Sequence, residues 1–246
     1  MSDAVLAWRH YRLERRMFWR NPTAAFFSFV LPLIFLVLFG SISDDAQLRI
    51  IVPGIAGLSI MATTFNALAM QMTFLRDAGV LKRMHGTPLP GRSYLAGVLG
   101  SAATNAGVQI VIVVLAGRFA FGLGWPQDWL TLAIFTLLGV SCFAALGVAL
   151  SYVIPNFEAA PAYTNIIFLP VIFISGVFYD AEKVPTFLHD IANALPLVHV
   201  INGLQAALVN GKPLSDLLSD LGVLLLWTAA GVWAAVRGFR WDGRGG

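Results

Sequence analysis

Six apolar stretches of 17 to 25 residues, separated by polar connections, constrain the fold of this chain more than any other feature. They occupy residues 23–40, 50–74, 94–116, 130–154, 162–178 and 217–236. A helix that crosses a bilayer needs about 20 predominantly apolar residues, and it satisfies its own backbone hydrogen bonds in hydrocarbon. The stretches also lack the alternation of membrane barrel strands. The sequence therefore predicts an all-α membrane protein, a single domain over residues 1–246 with six transmembrane helices.

The composition excludes a water-soluble globular protein. Hydrophobic residues make up 58% of the chain and charged residues only 12%, whereas about a quarter of the residues in a soluble domain are charged. The single cysteine, Cys142, excludes an intrachain disulfide and a thiolate metal site. The four histidines are predicted on both sides of the membrane, so we expect no metal site. The net charge of +3 bears on membrane topology, and no nucleic-acid partner is expected.

Basic residues are distributed unevenly among the connections, and this distribution predicts the orientation. Twelve lie before the first stretch, between the second and third, or after the sixth, and four lie on the other face. The positive-inside rule then places both termini in the cytoplasm. The connection 155–161 carries no basic residue and is assigned to the cytoplasmic side only because the spans alternate.

Residues 4–20 are too polar to span a membrane and predict an amphipathic helix at its surface. Four arginines recur at three- and four-residue steps and form one basic ridge: Arg9, Arg12, Arg16 and Arg20. Aromatic side chains elsewhere on the helix, such as Trp8 and Phe18, suit the depth of lipid headgroups. This helix either anchors the chain alone or also contacts a cytoplasmic partner.

The cytoplasmic connection 76–90 combines several charges with a short apolar edge. Residues 77–85 predict a short helix with Leu81 and Met84 on one edge. An apolar tip within a charged collar suits insertion into a groove on a soluble partner. An ordinary solvated loop is the alternative interpretation.

Two motifs resemble the type-2 ABC exporter permeases, most closely the small daunorubicin-type drug-resistance permeases. The first motif is Arg76-Asp77-x-Gly79-x-Leu81-Lys82-Arg83-Met84-x-x-Thr87-Pro88. The second runs through the apolar segment 168–178, Val184-Pro185, and the segment 195–204 that begins Leu-Pro-Leu. The resemblance covers nearly the whole chain, with departures from the usual residues at Val80, Val198 and Gln205.

The resemblance implies a permease that moves an amphipathic drug or lipid-like substrate outward by alternating access. It implies a dimer, expected to be a homodimer, with one ABC ATPase subunit bound to each protomer. The dimer is expected to lie in a bacterial plasma membrane, in contact with membrane lipid. The chain itself is expected not to be an enzyme, because no Gly-x-x-x-x-Gly-Lys-Ser/Thr loop is present. We therefore expect ATP and Mg²⁺ on the partner ATPase and no cofactor on this chain.

The motif residues of the connection 76–90 are the expected ATPase-coupling site. They are Arg76, Asp77, Gly79, Leu81, Lys82, Arg83, Met84, Thr87 and Pro88. The resemblance further implies that residues 185–210 form a pair of re-entrant helices on the outer side. The two apolar pieces in this range, 187–195 and 197–208, are each too short to cross the membrane, and Pro196 supplies the bend between them.

Polar side chains in the second and fifth stretches, together with one methionine and two phenylalanines, are the candidate substrate path. They are Thr63, Asn66, Met70, Asn165, Phe168, Phe173 and Ser175. Polar groups in hydrocarbon tend to face a partner helix or a cavity, so helix packing is the alternative role for each.

Two other functions remain open from the sequence alone. A polysaccharide or lipid-linked glycan exporter is the nearest alternative, and its path should carry stacked aromatic and hydrogen-bonding groups. A channel or carrier that works without ATP is the other alternative.

Overall fold

A computed structural model describes residues 2–85, 90–178 and 186–238, and every regular element within these ranges is helical. The helices are α1 (Asp3–Trp19), α2 (22–41, made of Pro22–Ala25, Phe26–Val30 and Leu31–Ser41), α3 (Asp45–Asp77), α4 (Val80–His85), α5 (Gly91–Phe121), α6 (Trp129–Ser151), α7 (Ala160–Ile174), α8 (Thr186–Ala194), α9 (Pro196–Asn210) and α10 (Leu218–Gly238). The predicted helical membrane fold is therefore confirmed.

Four helices in the described ranges, α3, α5, α6 and α10, are long and apolar enough to cross a membrane. The pair α8 and α9 is bent by 86° and adds a fifth span if it is counted as one. Two further apolar helices, Ser28–Ser41 within α2 and α7, are shorter than a full span. The number of crossings that follows directly is thus four or five, and the predicted six depends on the two shorter helices.

Several helix ends differ from the predicted bounds for local reasons. α7 ends at Ile174 rather than at residue 178, because Gly176 adopts the left-handed conformation with φ of 71°. α6 ends at Ser151 rather than at residue 154, before Pro155. α3 begins five residues earlier than predicted because the Asp44 carboxylate caps it, accepting a hydrogen bond from the Gln47 backbone N–H at 2.8 Å.

The α6 helix has a stronger cap. The Asp128 carboxylate accepts hydrogen bonds from the Thr131 hydroxyl at 2.6 Å and from the backbone N–H groups of Leu130 and Thr131. These bonds, led by the one from the Thr131 side chain, lower the pKa of Asp128 below its ordinary value. The cap fixes where the chain turns into α6.

α3 lies at the centre of the bundle and touches its neighbours through glycines. A methyl group on Gly54 would lie 2.1 Å from the Val177 carbonyl oxygen, and one on Gly147 of α6 would lie 2.5 Å from the Phe65 carbonyl oxygen. Small residues permit such close backbone approach between membrane helices. Gly147 belongs to the fourth apolar stretch, so that stretch packs closely against α3.

Contacts at the two ends of the bundle show which helix ends and connections lie together. At the first, the Arg76 end, Arg76 reaches the connection 152–159. At the second, the Gly122 end, a methyl group on Gly40 would meet the Phe121 ring, and the Gln127 backbone N–H donates to the Ala207 carbonyl at 2.8 Å. The end of α3 and the connection 152–159 therefore lie on one side, as alternation of the spans requires.

The bent pair has one helix before Pro196 and one that begins at Pro196, and its re-entrant course on the outer side stays a prediction. Ile201 packs against Gly57, near the middle of α3, and Ala207 lies at the Gly122 end. α9 therefore runs from the interior of the bundle to the Gly122 end.

α1 packs lengthwise along the first half of α5 and runs in the same direction. The Ser93 hydroxyl donates to the Asp3 carbonyl at 3.2 Å, the His10 and Tyr94 rings lie 4.6 Å apart, and the Tyr11 hydroxyl lies 3.2 Å from that of Thr104. Asp3–Trp19 is helical and one of its faces is occupied by α5, while its place at the membrane surface stays a prediction.

The glycine contacts yield a stability prediction. Gly54→Ala should lower the stability of the purified protein by about 1–3 kcal/mol, because the added methyl group collides with backbone that cannot move aside. Gly107→Ala is the matched control, since nothing lies within 4 Å of its added methyl group. Thermal unfolding in detergent, followed by tryptophan fluorescence, compares the two. Equal melting temperatures for Gly54→Ala and the unmodified protein would contradict the close contact.

Candidate functional site: a cavity beside α3 and an arginine clamp at one end

A cavity with a volume of about 700 Å³ lies between α1, α2, α3 and α5. Most of its lining is apolar, with hydrogen-bonding side chains spaced among the aliphatic and aromatic ones. The polar lining residues are Glu14, Asn21, Ser28, Thr63, Asn66, Gln71, Ser101 and Asn105. A concave apolar site with a few placed polar groups is the usual form of a small-molecule site, and volumes of about 300–1,000 Å³ are typical.

A π-helical turn, Ala62–Asn66, forms the α3 wall of the cavity. Around it, the Thr63 hydroxyl donates to the Ser59 carbonyl at 2.7 Å and the Thr64 hydroxyl donates to the Ile60 carbonyl at 2.6 Å. Single π turns inside α-helices are rare and occur frequently at functional sites. The buried Oδ1 atom of Asn66 accepts no hydrogen bond from the described part of the chain. Its side chain lines the cavity, so this wall carries a buried acceptor.

α1 closes the cavity through a set of polar contacts. The Gln71 side-chain amide of α3 donates to the Glu14 carboxylate at 3.0 Å, and the His10 Nε2 atom lies 3.3 Å from the same carboxylate. The Arg15 guanidinium donates to the Asn105 side-chain carbonyl of α5. α1 is thereby attached to two helices of the bundle. Its inward face contributes Glu14, Met17 and Phe18 to the lining, a role that we did not expect for a surface helix.

A buried polar stripe on α5 was also missed in the sequence. Ser93, Ser101, Asn105 and Gln109 are all buried, and the last three recur at four-residue steps, so those three share one face of the helix. Ser101 and Asn105 line the cavity. Gln109 is fully buried, and its amide group makes no hydrogen bond within the described ranges. The four-residue spacing was visible in the sequence and was the signal available.

The structure brings together four of the seven residues predicted for a substrate path. Thr63, Asn66, Met70 and Phe168 line the cavity. Asn165 and Phe173 lie instead on the exposed face of α7, away from it. Ser175 is buried just beyond the end of α7 and is absent from the lining. The path role itself stays a prediction for all seven.

The second feature of interest is the Arg76 clamp, the set of contacts that Arg76 makes with the chain after α6. Its guanidinium donates to the carbonyl oxygens of Ser151 at 2.7 Å and Ile154 at 2.6 Å, with a longer contact of 3.4 Å to Pro155. Only 9% of Arg76 is exposed. The last carbonyls of a helix have no partner within the helix, and a cation there also meets the negative end of the helix dipole.

The expected single helix over residues 77–85 is wrong. α3 continues through Asp77, the chain turns at Ala78 and Gly79, and α4 covers Val80–His85. Gly79 has φ of 66°, a conformation that ends the first helix.

The predicted coupling residues are therefore divided between two places. Arg76 and Asp77 close α3, and Leu81, Lys82, Arg83 and Met84 lie along α4. Lys82 and Arg83 are exposed. Thr87 and Pro88 lie outside the described residues.

A buried ionisable pair was not anticipated. The His199 Nδ1 atom of α9 lies 2.7 Å from the Asp220 carboxylate of α10, which also accepts a hydrogen bond from the Asn202 side-chain amide at 3.0 Å. The His199 Nε2 atom lies 2.9 Å from the Asn193 carbonyl. No pattern in the sequence pairs residues 21 positions apart, so this contact could not be predicted from it. No group of three or more His, Cys, Asp or Glu residues within the described ranges is arranged to hold a metal ion.

The sequence matches the ABC-2 type transporter family over residues 5–209. This chain is a member of that family. Nodulation protein J of Neorhizobium galegae is 24% identical over 193 residues, covering 78% of this chain and 72% of the relative. The inner membrane transport permease YadH of Escherichia coli K12 is 22% identical over 193 residues, covering 78% and 74%.

A third relative is the linearmycin resistance permease protein LnrN of Bacillus subtilis strain 168. It is 24% identical over 189 residues, which cover 75% of this chain and 48% of LnrN. All three relatives are bacterial proteins; LnrN and YadH are named as permeases, and the first is named for nodulation. With the family match, this identifies the chain as an ABC-2 membrane permease.

Proposed function

We propose that this chain is the permease subunit of an ATP-driven exporter that moves an amphipathic drug or lipid-like substrate outward. The observation that carries the proposal is the cavity beside α3. Its volume of about 700 Å³ suits a small amphipathic molecule, and its wall mixes apolar side chains with isolated hydrogen-bonding groups. Membership of the ABC-2 family and the resistance permease among the relatives support the same class of substrate.

Energy for export comes from a separate ABC ATPase, which binds ATP and Mg²⁺, while this chain binds neither. The sequence carries no phosphate-binding loop, which supports this division. The ATPase binds at the Arg76 end, against α4. α1 begins at this end and runs along the first half of α5, and the basic arginine ridge on its exposed face binds anionic lipid headgroups.

The chain crosses the bacterial plasma membrane six times, with both termini in the cytoplasm. The crossings are α2, α3, α5, α6, α7 and α10, and α8 with α9 forms a re-entrant hairpin on the outer side. The direction of α9 supports the hairpin, because α9 leaves the interior at Gly57 and ends at the Gly122 end, where α10 begins. α7 starts at the opposite end, so the hairpin enters and leaves on one side.

The active unit is a homodimer. Exposed apolar side chains on α7, including Ile166 and Phe173, supply a face for the second protomer or for lipid. If the substrate passes through the cavity of each protomer, export does not depend on the exposed face of α7. If the substrate follows a seam between the two protomers, that face lines the path.

A glycan exporter is the second candidate. Three phenylalanines line the cavity, Phe18, Phe35 and Phe168, together with more amide groups than the sequence had indicated. Aromatic rings beside hydrogen-bonding groups are the features expected for a sugar path. Export of a lipid-linked oligosaccharide by the purified complex, with no export of amphipathic dye, would favour this candidate.

Charged substitutions on α4 test whether the ATPase docks there. The double variant Leu81→Asp, Met84→Asp should reduce co-purification of the ATPase about tenfold or more, because a carboxylate in a docking groove must lose its hydration. Trp125→Asp is the matched control, since Trp125 is an exposed apolar residue in the connection at the Gly122 end. Normal amounts of ATPase with the double variant would contradict docking on α4.

The location of the path is tested with two asparagines. Asn66→Trp should reduce export about tenfold or more, because the indole fills space that a drug-sized ligand needs, and the complex should still assemble and hydrolyse ATP. Asn165→Trp is the matched control on the exposed face of α7. The assay follows rhodamine 6G and an NBD-labelled phospholipid in vesicles containing the complex. If only Asn165→Trp blocks export, the path lies along the outer face of α7 and not in the cavity.

A further inference from the structure

We infer that Arg76 and Asp77 are positioning residues that carry the displacement of α4 to α7, and that they do not contact the ATPase. This inference rests on the proposed function, in which an ATPase moves α4. The two residues were expected to belong to the docking surface with the rest of the motif. Their contacts point instead into the permease, toward the connection between α6 and α7.

The Arg76 clamp fixes the end of α6 to the end of α3. One guanidinium donates to two carbonyl oxygens at 2.7 and 2.6 Å, both from residues at or just after the last turn of α6. Arg76 is buried, so these bonds are shielded from competing water. Bonds from a charged donor are roughly twice as strong as neutral ones, so α3 and the α6 terminus move together.

Asp77 extends the attachment to the following loop. Its carboxylate accepts a hydrogen bond from the Phe157 backbone N–H, and the Phe157 ring meets that of Phe74 edge-on, with centroids 5.2 Å apart. Beneath these contacts, the buried side chains of Ala69, Ile154 and Ala160 form one apolar cluster. Ala160 is the first residue of α7, so the attachment reaches that helix directly.

The link between α4 and this attachment is short and braced. Only Ala78 and Gly79 separate α3 from α4, and the left-handed conformation at Gly79 sets the angle between them. The Arg83 guanidinium spans the turn and donates to the Ala78 carbonyl at 3.1 Å, while its backbone N–H donates to the Gly79 carbonyl at 3.2 Å. A displacement of α4 is therefore transmitted to Asp77 without an intervening flexible segment.

The series of contacts that begins at α4 ends at the cavity. α7 leaves the attachment at Ala160 and contributes Phe168 to the cavity lining two turns later. Displacing the start of α7 shifts Phe168 against the π turn of α3. Arg76 and Asp77 thus connect the ATPase-facing helix with a wall of the candidate path.

Two substitutions of Asp77 separate this role from docking. Asp77→Asn keeps a side-chain carbonyl that accepts the Phe157 bond and removes the charge, whereas Asp77→Ala removes both. Each variant is purified with the ATPase that accompanies the unmodified permease. Amide hydrogen exchange of residues 152–162 is then measured in the complex, with and without ATP and vanadate.

In the unmodified complex and in Asp77→Asn, nucleotide should change exchange across residues 152–162. In Asp77→Ala we expect this response to fall by about fivefold or more, because local opening at Phe157 uncouples the loop, while the ATPase co-purifies in normal amounts. Arg76→Lys, which keeps the charge but presents one ammonium in place of the guanidinium fork, should lose the response in the same way.

Three results would overturn the inference. Loss of ATPase binding in both Asp77 variants would place the Asp77 charge in the docking surface. A lower melting temperature for Asp77→Ala with an undiminished nucleotide response would assign the contact to stability alone. Absence of any ATPase with the unmodified permease would overturn the proposed function, and this inference with it.

Discussion

Close contact between α3 and its neighbours is the interaction on which the rest of the structure depends. Lipid tails are as apolar as the helices, so burial of apolar surface alone does not hold membrane helices together. Gly54 and Gly147 let backbones approach to distances that a methyl group would prevent. α3 is therefore surrounded on most sides by protein. A helix enclosed in this way can hold a π turn and the Asn66 Oδ1 atom, which has no partner in the described part of the chain, without exposing them to lipid.

The cavity and the Arg76 clamp are two consequences of the same central helix. Near its middle, α3 widens into the π turn and presents Asn66 to the cavity. At its end, α3 holds the connection between α6 and α7 through Arg76 and Asp77. α7 begins at the second feature and contributes to the first, so the two sites are joined by one short helix. In the proposed function, energy applied at the Arg76 end follows this route to the cavity wall.

Much of the fold was predictable because hydrophobic length is a local property of sequence. The long apolar helices and the break at Pro196 follow from residues close together in the chain. The division of the coupling motif did not follow, because it depends on which way Arg76 points after the chain turns at Gly79. The part played by α1 in the cavity was missed for a similar reason. Its charges indicated a surface helix, whereas Glu14 and Arg15 pair with polar groups on α3 and α5 that lie about 60 to 90 residues away in sequence.

The most direct test of the account is transport by purified protein in sealed vesicles. The permease is reconstituted alone and together with its ATPase, and the movement of rhodamine 6G and of an NBD-labelled phospholipid is followed with ATP, without ATP, and with a non-hydrolysable analogue. We expect directional transport only when the permease, the ATPase and hydrolysable ATP are all present. Equal flux through the permease alone, unaffected by ATP, would contradict it and identify the chain as a channel or carrier.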